Sequence, residues 1–209
     1  MTSQNTKENI IERISIFFVK TTSNFFWEVA DTWSYKNNKI AQRYNKSIEE
    51  EYRKECETCG VSQNAKVLHI GCGAYPLTQL VLAQCSSGTV VGIDKNPLAV
   101  QRAREVISRH HLQNKITIHQ GNGTDYPVND FDMILISSCS LPKVQILEHL
   151  FKNAKHQSTI IVREVSIATA DILHCINAHP EIEIIQQMHH TPFPFYGPLG
   201  WDTFYLRKN

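Results

Sequence analysis

The 209-residue chain has no dominant sign of charge: 21 Lys/Arg against 20 Asp/Glu leave a net +1. The balance holds in residues 1–60 as in the remainder, so no basic stripe exists to follow a phosphate backbone. That argues against nucleic acid as the main partner. No stretch approaches the roughly 18 apolar residues that a membrane span needs. The first residues, MTSQNTKENIIERI, have no apolar export core, so a cytoplasmic protein is expected. Its six cysteines then read as reduced thiols. Cys56 and Cys59 form a CxxC, but no second pair or histidines stand at matching spacing, and no metal is expected.

What is present divides at about residue 60. Ile10, Ile14, Phe17 and Phe18 fall at helical spacing, followed by the aromatic residues Phe25, Phe26, Trp27, Trp33 and Tyr35. A second helix is predicted over Lys39–Cys59, with Ile40, Tyr44, Ile48 and Tyr52 along one stripe and Gly60 as its stop. The aromatic segment is expected to pack on the rest of the chain, and it also offers a homodimer contact. Residues 1–60 are therefore a helical cap and residues 61–209 the main domain.

From Val67 the pattern alternates. Strands are predicted at Val67–Ile70, Thr89–Ile93, Ile116–His119, Met133–Ser137 and Thr159–Arg163. Helices follow at Thr78–Cys85, Pro97–His110, Val144–Lys155 and Ile167–Ala178. Two last strands, Glu181–Met188 and Thr203–Arg207, have only the Pro/Gly-rich loop between them. The expected fold is α/β, a doubly wound, mostly parallel, seven-stranded Rossmann-like sheet with an antiparallel last strand.

The run VLHIGCGAYPLT, residues 67–78, is a strand entering a glycine turn and a helix. Gly71 and Gly73 allow the tight turn and the close approach of backbone N–H groups to a ligand. Asp94 ends the second strand, 23 positions after Gly71, where an acid can accept both hydroxyls of a ribose. Asn122, Gly123 and Asp125 follow the third strand, where an amide can meet an adenine. The fourth strand ends in small residues, Ser137 and Ser138 among them.

In this order the chain resembles the class I S-adenosylmethionine-dependent methyltransferases over about 140 residues. The resemblance implies S-adenosylmethionine as cofactor, with Gly71 and Gly73 at its methionine part, Asp94 at the ribose, Asn122 with Gly123 at the adenine, and Ser137 beside them. His69 stands where that family usually has an acid, at the cofactor's amino group. GCGAYPLT is also similar to the GxGxxPLT run of nicotianamine synthase-like enzymes, which transfer the cofactor's aminocarboxypropyl arm instead of its methyl group.

Candidates for the chemical step are Tyr75 after the glycine turn, Glu164 at the end of the fifth strand, and Tyr196 in the loop before the last strand. Tyr44, His189 and His190 are weaker candidates, the histidines reading as surface residues. The leading expectation is methyl transfer to a small molecule. The alternatives are aminocarboxypropyl transfer and a non-catalytic S-adenosylmethionine-binding module.

Overall fold

The computed structural model describes residues 18–22, 25–36, 39–60, 62–192 and 200–209. Residues 25–35 are helical (α1) and lead to α2 (Lys39–Cys59), β1 (Val67–Ile70), α3 (Leu77–Cys85), β2 (Val90–Asp94), α4 (Pro97–Arg109) and β3 (Ile116–Gln120). β4 (Met133–Ile136), α5 (Lys143–Asn153), β5 (Thr159–Val165), α6 (Ala170–Asn177), β6 (Ile182–His190) and β7 (Trp201–Lys208) complete the order.

The seven strands form one sheet in the order β3-β2-β1-β4-β5-β7-β6. β1 to β5 pair in parallel, and β7 runs antiparallel to both β5 and β6. β1 (VLHI) and β4 (MILI) are buried at every position, as expected of central strands with helices on both faces. Strand order reverses between them, and ligands of open α/β sheets bind at that crevice, beyond the carboxyl ends.

Alternation along the strands sorts the core into two layers. Leu68, Ile70, Ile134, Ile136, Ile160 and Val162 face α5 and α6. Val67, Met133, Leu135, Ile161 and Tyr205 face α3 and α4. On this second face the same parity brings His69, Ser137 and Arg163 to the carboxyl ends, under α2.

Local signals account for the helix boundaries. Asn96 accepts the Leu98 N–H at 3.0 Å and Pro97 occupies the first turn of α4, both favourable at that end. Gly60 after α2 has φ +56°, a left-handed stop that suits glycine.

Three expectations change. β5 continues two residues further, held by the pairs Glu164↔Asp202 and Val165↔Trp201, so Glu164 lies inside the strand. The helix expected over 167–178 is a 3-10 turn (Ser166–Ala168) followed by the shorter α6. The aromatic segment docks only in part. Trp27 meets Trp201 edge-on at 6.3 Å, and Tyr35 lies under Arg102 and Arg109 of α4, while Phe25 and Trp33 stay exposed. Ile10, Ile14 and Phe17 lie outside the described residues, as does the side chain of Tyr44.

Candidate active site

Two adjoining clefts open at the carboxyl edge on either side of the glycine turn. They share Gly71, Asp94 and Cys139. The smaller, about 470 Å³, is lined by Asn122 and Gly123 with Ile146. The larger, about 720 Å³ including its mouth, lies under the N-terminal helices and takes in Trp27, Asp31, Tyr52, Tyr75, Arg163 and Trp201.

The turn between them requires its glycines. Gly71 and Gly73 have φ of +83° and +67°, which other residues adopt only with strain. A Cβ on Gly73 would collide with the Asp31 carboxylate, and one on Gly123 with Ile70. Backbone donors from Gly71 and Cys72 bind the Ile93 carbonyl at 2.9 and 3.0 Å. Asp94 accepts from the Gly73 N–H at 3.0 Å through Oδ2 and from the Asn96 N–H at 2.9 Å through Oδ1. Its carboxylate is thus aimed at the junction of the clefts. A cradle without Cβ atoms, an acid at the second strand end and an open pocket beside Asn122 fit a nucleoside with a methionine arm.

His69 is wholly buried. Its Nε2 lies 2.7 Å from Ser137 Oγ, and that hydroxyl donates to the Gly71 carbonyl at 2.9 Å. With the single hydroxyl proton given to Gly71, Nε2–H of His69 is the donor to Ser137. Burial, then the charge of Arg163, pushes the His69 pKa down to about 3. The imidazole is neutral at any physiological pH and carries no anionic charge.

Asp31, which the sequence reading did not single out, reaches the same turn from α1. Its Oδ2 accepts the Ala74 N–H at 3.0 Å, and burial pushes its carboxyl up to about 7 against the opposing pull of the Ala74 and Tyr75 backbone. This is an acid–base group poised near neutrality at the wall of the larger cleft.

The other catalytic candidates are spread apart. Tyr75 is half-buried beside the turn, its hydroxyl pKa raised by burial. Glu164 lines neither cleft: it points to the opposite face of β5, accepts the Val165 N–H at 3.0 Å and pairs with Lys20 at 3.1 Å. Strand alternation places Arg163 in the cleft instead. Tyr196 lies outside the described residues. His189 is half exposed and bonds Asp202 at 3.2 Å. His190, expected at the surface, has a fully buried side chain stacked on Trp201 at 5.0 Å, because β6 runs on to include it and α2 covers it.

Beneath the larger cleft Arg163 forms an ion pair with Glu55 of α2, 2.5 Å between Nη2 and Oε2, both side chains at most 4% exposed. Glu55 also accepts from Thr203 at 2.6 Å and from Trp201 Nε1 at 3.4 Å. Arg163 Nη1 donates to Thr78 at 2.9 Å, and the guanidinium sits 3.7 Å from the centre of the Tyr52 ring. Lys143, buried, donates to the carbonyls of Ser137 and Arg163 and so joins the ends of β4 and β5. Burial lowers its pKa to about 8.

A family model described as a methyltransferase domain matches residues 61–193. The chain belongs to the methyltransferase-domain family. It is a class I S-adenosylmethionine-dependent transferase, and S-adenosylmethionine is its cofactor. Among curated relatives, L-histidine 2-aminobutanoyltransferase of Yersinia pestis is 30% identical over 132 residues, 62% of this chain and 47% of that protein. Ribosomal protein L11 methyltransferase of Burkholderia thailandensis is 30% identical over 111 residues, 53% of this chain and 35% of that protein. The methyltransferase-family chain thus spans half or less of the length of these relatives. Among solved structures, a nicotianamine synthase, MtNAS, in complex with S-adenosylmethionine superposes with TM-score 0.71 at 14% identity, over 92% of this chain and 77% of that one. Geranyl diphosphate methyltransferase gives 0.63 at 8%, over 77% and 85%. Both share the fold of this family member. No helix among the described residues is long and apolar enough to cross a membrane.

Proposed function

We propose that the chain transfers the aminocarboxypropyl arm of S-adenosylmethionine to a nitrogen of a small-molecule acceptor. The observation that carries this reading is His69. In class I methyltransferases the residue at this strand end is usually an acid that orients the cofactor's amino group. Here it is a buried imidazole held neutral, with no negative charge to hold an ammonium. The arm then lacks its usual anchor and is free to turn its reacting carbon toward the larger cleft. The PLT run after the glycine turn, the printed activity of the Yersinia relative and the wide overlap with MtNAS support the same reading.

Asp94 holds the ribose, Asn122 and Gly123 border the adenine, and Gly71 and Gly73 admit the methionine part. Trp27, Tyr52 and Trp201 offer aromatic faces to an amine, and Asp31 offers a carboxylate. As the acceptor nitrogen bonds to the propyl carbon, the carbon–sulfur pair leaves on sulfur, and Asp31 takes the proton that the nitrogen sheds. Because the reacting carbon is chosen by placement alone, the products decide the matter. Turnover with small amines, followed by chromatography of the released nucleoside, is expected to yield methylthioadenosine. S-Adenosylhomocysteine as the product would return methyl transfer to first place.

Asp31→Asn is expected to lower kcat by about 10²–10⁴-fold, the range of a general base. In the parent, activity should rise with pH through about 7, as the carboxyl loses its proton, and this limb should vanish in the variant. A variant with unchanged rate and pH profile would remove Asp31 from the chemistry. On this reading the N-terminal segment is part of the catalytic unit, since Trp27, Asp31 and Tyr52 come from it.

A further inference from the structure

On the far side of α5 from the clefts, three different ligand types converge. Glu148 of α5, Cys175 of α6 and His179 just beyond α6 bring a carboxylate oxygen, a sulfur and an imidazole nitrogen within 4.8 Å of one another. Cys175 Sγ lies 3.5 Å from Glu148 Oε1, and His179 Nε2 lies 3.0 Å from Glu148 Oε2. Zinc bound tetrahedrally at roughly 2.3 Å to sulfur and 2.0–2.1 Å to nitrogen or oxygen spaces its ligand atoms about 3.3–3.6 Å apart. The trio already spans one face of such a tetrahedron.

The second observation is the support of the histidine. His179 Nδ1 faces Glu181 Oε1 at 3.0 Å, so a carboxylate holds the ring nitrogen that points away from the trio. Metal-bound histidines are typically oriented in this way. Two carboxylates on the two nitrogens favour a protonated ring: the His179 pKa is raised, first by the Glu181 hydrogen bond. Burial and Glu148 together keep the Cys175 thiol up, at about 11. A divalent cation can replace both protons at once, leaving thiolate, carboxylate and neutral imidazole around a 2+ charge.

We propose that Glu148, Cys175 and His179 form a zinc site, separate from the cofactor clefts, with its fourth position open to water. The sulfur ligand selects zinc over magnesium or calcium. The surrounding groove, which includes Thr124, His149 and Lys152, gives entry from solvent. Bound zinc ties α5 to the end of α6. His149, Lys152 and Glu181 are the titratable neighbours, and affinity rises with pH as thiol and imidazolium give up their protons.

The test is a competition titration of the chelator-treated protein with zinc, together with cobalt(II) substitution. The expected results are one tight equivalent of zinc and a thiolate-to-cobalt charge-transfer band. Glu148→Gln and His179→Asn, both at accessible positions, should each weaken zinc at least tenfold without changing S-adenosylmethionine affinity. Cys175→Ser should abolish the cobalt band. Glu181→Gln should cost about 10–100-fold, as outer partners do. A Cys56→Ser/Cys59→Ser variant should keep the site. Zinc affinity unchanged in His179→Asn and Glu148→Gln, or a cobalt adduct without sulfur absorption, would overturn the proposal.

Discussion

Asp94→Ala should reduce the affinity for S-adenosylmethionine by at least tenfold, and more if both ribose hydroxyls are engaged. A hydrogen bond to a charged group contributes about 1.5–3 kcal/mol, and tenfold corresponds to about 1.4 kcal/mol. The loss has two sources. The carboxylate is the only acid at the junction of the two clefts among the described residues that line both, and it also fixes the glycine turn through the Gly73 N–H. Asp94→Asn separates them, because an amide oxygen can still accept from Gly73 while the charge is gone. Calorimetry with S-adenosylmethionine is the measurement. Unchanged affinity in Asp94→Ala would remove the ribose from this strand end.

The largest effect on stability is expected at the ion pair under the larger cleft. Removing one partner of a buried pair costs about 3–5 kcal/mol, because the other charge is left without compensation. Glu55→Gln keeps one acceptor for Thr203 and Trp201 but turns an NH₂ toward the Arg163 guanidinium, donor against donor. A drop of that size in the free energy of denaturant unfolding is expected. The double variant Glu55→Met/Arg163→Met should lose less than the single one, since apolar groups of similar volume often replace a buried pair at little cost. A Glu55→Gln protein within about 1 kcal/mol of the parent would mean that water reaches the pair.

The Glu55–Arg163 pair also shows where the sequence could have been read further. Ile48, Tyr52 and Glu55 are spaced i, i+4, i+7 on α2, so a carboxylate stands on the stripe that faces the sheet. A charge there calls for a buried cation. In TIIVREV the parity of Ile161 assigns Arg163 to the same face and Glu164 to the other, yet the reading picked the acid because acids are the usual bases. By contrast, the strands and the glycine turn were legible. Continuous apolar runs bounded by Gly, Pro and Asn leave few alternatives to buried parallel strands, and Asp94 and Asn122 follow from their ends. Asp31 had no such signal. It reaches Ala74 only because α1 docks across 43 residues of sequence, and no local periodicity encodes that contact. His190 was hidden similarly, its burial set by α2 and by a strand that outlasts its apolar residues.

The position of β7 has a consequence for how the chain is made. The strand nearest the C-terminal end lies between β5 and β6, so β6 cannot join the sheet until Trp201–Lys208 have been synthesised. Ribosomes add about 5–20 residues per second. During that interval a nascent chain carries β1 to β5 with the outer edge of β5 unpaired, and such an edge is a template for adhesion to other chains. Folding on the ribosome is therefore completed by its last few peptide bonds, and polypeptides released short of Trp201 are the ones for chaperones and proteases to find.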